Sequence, residues 1–198
     1  MRTHVALLRG INVLGRNKVA MADLRDVVAA LGHREVTTYI QSGNVVFTAA
    51  GRADDNCALA EALEGAVAAR LGVRPVVVVL ARAQLHNVVS TNPFGQVVDP
   101  RTLHAVFFRE PPGADGIDAV AAAVGRARVK GSRDDARVIG RTLYLWTPEG
   151  FAPSVLRREL DRGGNLRTPM HAGTARNWAT VTTLVSLLEP EEEGRAGG

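Results

Sequence analysis

Three stretches of the chain gather side chains able to hold an anion or a polar ligand. The first is LLRGINVLGRNKVAM, residues 7–21, where Arg9, Asn12, Asn17 and Lys18 crowd a gap between an apolar run and an amphipathic one. The second is TYIQSGNVVF, residues 38–47, with Gln41, Ser42 and Asn44 at its middle. The third is TARNWATVTTL, residues 174–184, where Arg176 and Asn177 stand directly before Trp178. Guanidinium, ammonium and amide groups offer forked donors to a phosphate, a carboxylate or a base edge, each charge-assisted bond worth about 1.5–3 kcal/mol at best.

Each stretch also has an ordinary structural role. Gly10 and Gly15 have the G-x-x-x-x-G spacing of a phosphate-binding loop, but Arg16 and Asn17 follow where Lys and Ser or Thr belong, and no hydroxyl stands ready for a metal. The next helix starts near Ala20, too late for its N-terminus to cradle phosphates. The residues therefore argue against a true P-loop. The loop's Asn and Arg groups suit turn-holding bonds as well as they suit a ligand. Gln41, Ser42 and Asn44 read first as the chemistry of a hairpin turn at Ser42–Asn44, with Gly43 at positive φ. An RNA-recognition sheet needs aromatics on its first and third strands; the first has none, and Phe47 on the third suits burial. In the third stretch, Thr174 is placed to cap a last helix from about Ala175 to Leu188. Arg176 would then oppose the helix dipole by a few tenths to about 1 kcal/mol, which calls for a compensating carboxylate or ligand anion.

Other chemistries find little support. The five histidines, His4, His33, His86, His104 and His171, show no i, i+4 pairing and no H-E-x-x-H, so no metal site is expected. The single cysteine, Cys57, sits in an Ala-rich helical run without a neighbouring His or cation, and one cysteine rules out an intrachain disulfide. No G-x-S-x-G elbow occurs. The carboxylates lie in surface patterns such as ADLRD and LRREL, where i, i+4 partners are usual. No residue stands out as catalytic and no cofactor is indicated.

The chain has 198 residues, is 46% hydrophobic and carries a formal net charge of +4, with only Lys18 and Lys130 as lysines. That suits one fair-sized domain or two small halves. The arginines are scattered rather than striped, which places nucleic-acid binding behind other readings. No apolar run approaches the roughly 20 residues of a membrane helix. No signal peptide is evident, and the expected location is cytoplasmic. Residues 190–198, beginning with an acidic run, read as a disordered tail.

The elements that must position these residues follow from hydrophobic period. A strand spans His4–Arg9. A helix over Ala20–Leu31 stops at Gly32. EVTTYIQ alternates as a second strand, VVFTA is a third, and a helix fills Asp55–Leu71. PVVVVLA is an unbroken apolar strand, expected to be covered on both faces. This β-α-β-β-α-β order is the ferredoxin-like unit. ARAQLHNVVSTNPF reads as a linking helix that ends before Pro93. TLHAVFF, GIDAVAAAVGR, ARVIGRTLYLWTP and PSVLRREL then repeat strand, helix, hairpin and helix, without a clear final strand before the glycine-rich stretch Gly163–Gly173. On the last helix Trp178, Val181, Leu184 and Leu188 share a face. The expected class is α+β, two ferredoxin-like subdomains packed together, the first over 1–95 and the second over 96–189 with its C-terminal helix.

VALLRGINVLGRNKVAMADLRDVVAALG, VTTYIQSGNVVF and TARNWATVTTL, with NPF at Asn92–Phe94, resemble the bacterial domain of unknown function 1697 family. The resemblance covers most of the chain. It implies an α+β fold of two ferredoxin-like subdomains and no assigned activity, so it supplies no catalytic residues. One departure is Leu14, where the family often has glycine. The sequence leads to the expectation that the three stretches meet in one polar site for a small phosphate- or carboxylate-bearing ligand. Two alternatives stay open: a structural or interaction module whose motifs are internal hydrogen-bond networks, and a basic nucleic-acid binder. The composition also allows a homodimer and does not decide it.

Overall fold

The structure, a computed structural model, describes residues 1–13, 15–51, 55–97, 99–162 and 173–190. The expectations for Leu14, His171, the glycines before Gly173 and the tail beyond Pro190 fall outside the described residues. The chain divides into two compact units, Met1–Leu85 with the chain from Thr183, and His86–Thr182.

In the first unit the elements are β1 (His4–Arg9), α1 (Met21–Ala30), β2 (Arg34–Tyr39), β3 (Asn44–Thr48), α2 (Asn56–Leu71) and β4 (Val76–Ala81), followed by α3 (Arg82–Ser90). Its strands pair antiparallel in the order β2-β3-β1-β4. In the second unit come β5 (Leu103–Phe107), α4 (Ala114–Val129), β6 (Asp135–Ile139), β7 (Thr142–Trp146), α5 (Val155–Asp161) and β8 (Thr174–Asn177), followed by α6 (Trp178–Leu188). Their order, β6-β7-β5-β8, repeats the first. The fold is α+β and consists of two ferredoxin-like units.

Alternation explains the first core. Ala6 and Leu8 of β1 join Val45 and Phe47 of β3 and Val77 and Val79 of β4 beneath Leu24, Val27 and Val28 of α1 and Leu63 and Val67 of α2. Each fully buried side chain of this size contributes about 1.5–3 kcal/mol. Val77 to Leu80 are all buried, as an unbroken apolar strand requires. The Asp55 side chain caps α2 by accepting from the amides of Cys57 and Ala58, and Gly72, at φ +68°, ends it. In the second unit Leu143 and Leu145 pack against Val120, Ala123 and Val124 of α4 and Leu156 and Leu160 of α5. Among the described residues no helix is long and apolar enough to cross a membrane.

Two local expectations are corrected. The last helix begins at Trp178, and Thr174–Asn177 are the missing final strand, paired with β5 from His104 to Phe107. Thr174 is therefore no cap; the Asn177 Oδ1 fills that role by accepting from the Ala179 amide at 2.9 Å. Arg176 stands in a strand, so no dipole argument applies to it. The second correction is at β2, which ends at Tyr39. Ile40 leaves the strand with φ +47°, an unusual conformation for a β-branched residue.

Candidate functional site

The two units give an internal standard for what the fold needs. His4 lies opposite Phe47 and Ala81, and His104 lies opposite Leu145 and Asn177. HVALLR thus corresponds to HAVFFR, residues 104–109. In the second unit, β5 reaches α4 through residues 108–113, and β6 turns into β7 over Gly140 and Arg141 alone. The first unit spends residues 10–20 and residues 40–43 on the same connections. Both enlargements lie at one end of the sheet. β1 and β2 each run antiparallel to β3, so their C-terminal ends coincide.

Backbone bonds join the two enlarged segments. The Leu8 amide donates to the Gly43 carbonyl at 2.7 Å, as Phe108 does to Arg141 in the second unit. Asn12 makes the decisive link. Its Oδ1 accepts from the Val19 amide at 2.8 Å, and its Nδ2 donates to the carbonyls of Val19 at 2.9 Å and Gln41 at 3.0 Å. Asn17 Nδ2 donates to the Gly10 carbonyl at 2.7 Å. Between them the Asn12 amide donates to the Asn17 carbonyl, and Val13 and Arg16 form a single antiparallel bridge. Ile11 and Val19 anchor both legs of the loop in the core. Asn12 at φ +52° and Asn17 at φ +50° adopt the left-handed conformation that asparagine tolerates.

The amides of the candidate site are thus largely structural. In the hairpin, buried Asn44 donates to the Tyr39 carbonyl at 3.1 Å and the Ser42 Oγ at 2.9 Å, which closes the turn. The cations differ from the amides. Arg9 is half-buried at the loop's base, and burial lowers the pKa of its guanidinium without discharging it. Lys18 and Gln41 are exposed, and no described residue hydrogen-bonds to their side chains. The same is true of Arg16. Residues 9–20 and 40–44 contain no Asp or Glu. In the sequence Arg16 stands only where a P-loop would place its lysine, and its exposure beside Lys18 emerges with the loop's shape. Val13 and Ile40 add exposed apolar surface, each just over half accessible.

The third stretch belongs to the second unit. Arg176 pairs with Ala105 on β5, whose other neighbour is Tyr144. The Tyr144 hydroxyl donates to the Val88 carbonyl at 2.8 Å and lies 3.1 Å from Thr91 Oγ1, while its ring sits 6.1 Å from that of Trp178. Arg176 is 8% exposed; burial brings its pKa down to about 10, and its Nη1 donates to the Ala175 carbonyl at 2.8 Å. Asn177 Nδ2 donates to the Arg101 carbonyl at 3.2 Å.

Residues 1–144 match the model of a family described as protein of unknown function (DUF1697). The chain belongs to this family. The match takes in both enlarged connections of the DUF1697 chain and stops short of Arg176–Trp178. No curated protein matches it. Among solved structures it is similar to the conserved bacterial protein SP0830 from Streptococcus pneumoniae, at 25% identity and a TM-score of 0.67, over 95% of this chain and 99% of that one.

Proposed function

We propose that this DUF1697 protein binds a small anionic ligand, bearing phosphate or carboxylate, at the loop end of its first sheet. The supporting observation is the asymmetry between the units. The second unit makes the same fold with a six-residue loop, residues 108–113, and a two-residue turn, Gly140–Arg141. The longer connections of the first unit therefore exceed what the sheet requires, and they carry Arg16 and Lys18 without a carboxylate, next to Arg9 at the end of β1. Asn12 and Asn17 hold the loop in advance, so little conformational entropy is lost when an anion arrives. Gln41 and the backbone of the left-handed turn add neutral donors.

The structural reading is favoured at the other motif. Asn177 and Tyr144 spend their polar groups on backbone partners, as an internal network does.

A thermal-shift screen with nucleotides, phosphosugars, coenzyme A derivatives and short oligonucleotides tests the proposal, because a ligand of the native state raises the melting temperature. A phosphorylated small molecule should stabilise wild type and fail to stabilise the Arg16→Ala, Lys18→Ala double variant. Equal stabilisation of both proteins would refute the site. Stabilisation by oligonucleotides alone would favour the nucleic-acid reading.

A further inference from the structure

The second unit holds a cavity unrelated to the anion site. Its volume is about 500 Å³, within the range of small-molecule pockets. Pro93, Phe94, Val97, Trp146 and Pro148 form its walls, and Gln96 and Asp99 stand among them as polar groups. The NPF tripeptide of the sequence, Asn92–Phe94, thereby finds a place. Asn92 Oδ1 accepts from the Phe94 amide at 2.9 Å, and the Val97 amide donates to the Phe94 carbonyl at 3.0 Å, so the segment is held as a turn rather than left loose. The opposite wall is fixed by β7, which ends at Trp146, and by the Thr147 amide donating to the Thr102 carbonyl at 2.8 Å.

The two aromatic rings touch only at a tilt, with centroids 6.2 Å apart and planes inclined by 32°, and both residues are only half-buried, so each keeps ring surface open to the cavity. No described residue accepts a hydrogen bond from the Trp146 indole. The Arg101 guanidinium and backbone amide both donate to the Asp99 carboxylate, and these bonds lower its pKa. The Asp99 carboxylate is thus already engaged by a cation, and the apolar walls suit an uncharged planar ring. The polar residues lining the cavity, Asp99 and Gln96, bring acceptors and a donor to the same space.

We infer that the Phe94–Trp146 cavity binds a planar, nitrogen-containing aromatic ring of the nucleobase class. The ring stacks on Trp146 or Phe94, and its polar edge meets Asp99 and Gln96. Stacking of a base on a single aromatic ring suits a ligand of modest affinity.

The chain has two tryptophans, so Trp146 and Trp178 give two indole N–H resonances, which a Trp146→Phe variant assigns. On addition of adenosine or guanosine to the full-length protein, the Trp146 resonance should move saturably while that of Trp178 stays fixed. Phe94→Ala should weaken the apparent Kd at least fivefold. If that variant fails to fold, Phe94→Leu, which keeps apolar volume and loses the ring, should still weaken it. An unmoved Trp146 resonance with both nucleosides overturns the inference, as does an equal shift of Trp178. So does a shift induced only by a proline-rich peptide, which would make the cavity a peptide groove.

Discussion

At the residue scale, Asn12 does the most to shape the proposed anion site without itself being offered to a ligand. Replacing it with Ala removes three hydrogen bonds and puts a Cβ-bearing residue without a polar side chain at φ +52°. The expected loss is about 2–4 kcal/mol in urea denaturation, against little change for Lys18→Ala. The residue types at this loop were legible in the sequence; their division of labour was not. Composition marks Asn12, Asn17 and Lys18 alike as polar, and only geometry separates amides bonded to backbone carbonyls from a cation left in solvent. A second expectation concerns acid. His104 is packed 4.2 Å from the Phe151 ring, and burial lowers its pKa to about 4. The unfolded chain, with His near 6.5, binds more protons between those values, so stability should fall as pH drops from 6.5 towards 4. Glu159, 3% exposed, is bonded by Lys130 and Arg126 and also contacted by Arg162, and these partners depress its pKa to about 2. It adds stability above the ordinary Glu value that is lost as pH falls towards 2. His104→Phe should flatten the first limb of a stability–pH curve and leave the second.

At the element scale, close backbone approach sets the tolerance of two glycines. A Cβ at Gly43 would lie 2.9 Å from Leu8 Cβ and 3.0 Å from Ile11 Cδ1, with φ at +74°. At Gly173 it would lie 2.5 Å from Val106 Cγ1 and 2.8 Å from the Phe107 carbonyl oxygen. Gly43→Ala and Gly173→Ala should each cost more than about 2 kcal/mol by denaturation, whereas Gly15→Ala meets open space and carries only the left-handed penalty of about 1–2 kcal/mol. By contrast, shortening Ile40–Gly43 to the two-residue turn Asn-Gly should leave the fold intact, because β6 and β7 are joined that way. A retained fold, about 1 kcal/mol less stable for want of the Asn12–Gln41 bond, with anion binding lost is the expected pair of results, read by circular dichroism and thermal shift. Most elements were legible from period alone: β1 coincides with the apolar run His4–Arg9, and β4 was recognisable by its valines. β8 was not. TARN offers neither alternation nor strand-forming bulk, and it forms a strand because its backbone completes the sheet beside β5. Read without that pairing, it merges into the helix that follows.

At the scale of the whole molecule, a duplicated fold allows one copy to depart from the minimum. The correspondence of His4 with His104, and of Arg9 with Arg109, was present in the sequence, but recognising equivalence took the strand register. The length differences at the connections become visible only once that register is fixed. The net charge of +4 is distributed over many arginines, so small-anion binding should weaken modestly with salt, as a few exposed contacts do. A long basic stripe on a nucleic acid would give a steep dependence instead. The most direct measurement is an amide chemical-shift titration of the full-length protein with pyrophosphate. The amides of Gly10–Lys18 and of Ile40–Gly43 should move together with one saturation curve, and that movement should vanish in the Arg16→Ala, Lys18→Ala variant. A flat titration across both segments, or saturable shifts confined to other parts of the chain, would contradict the anion site.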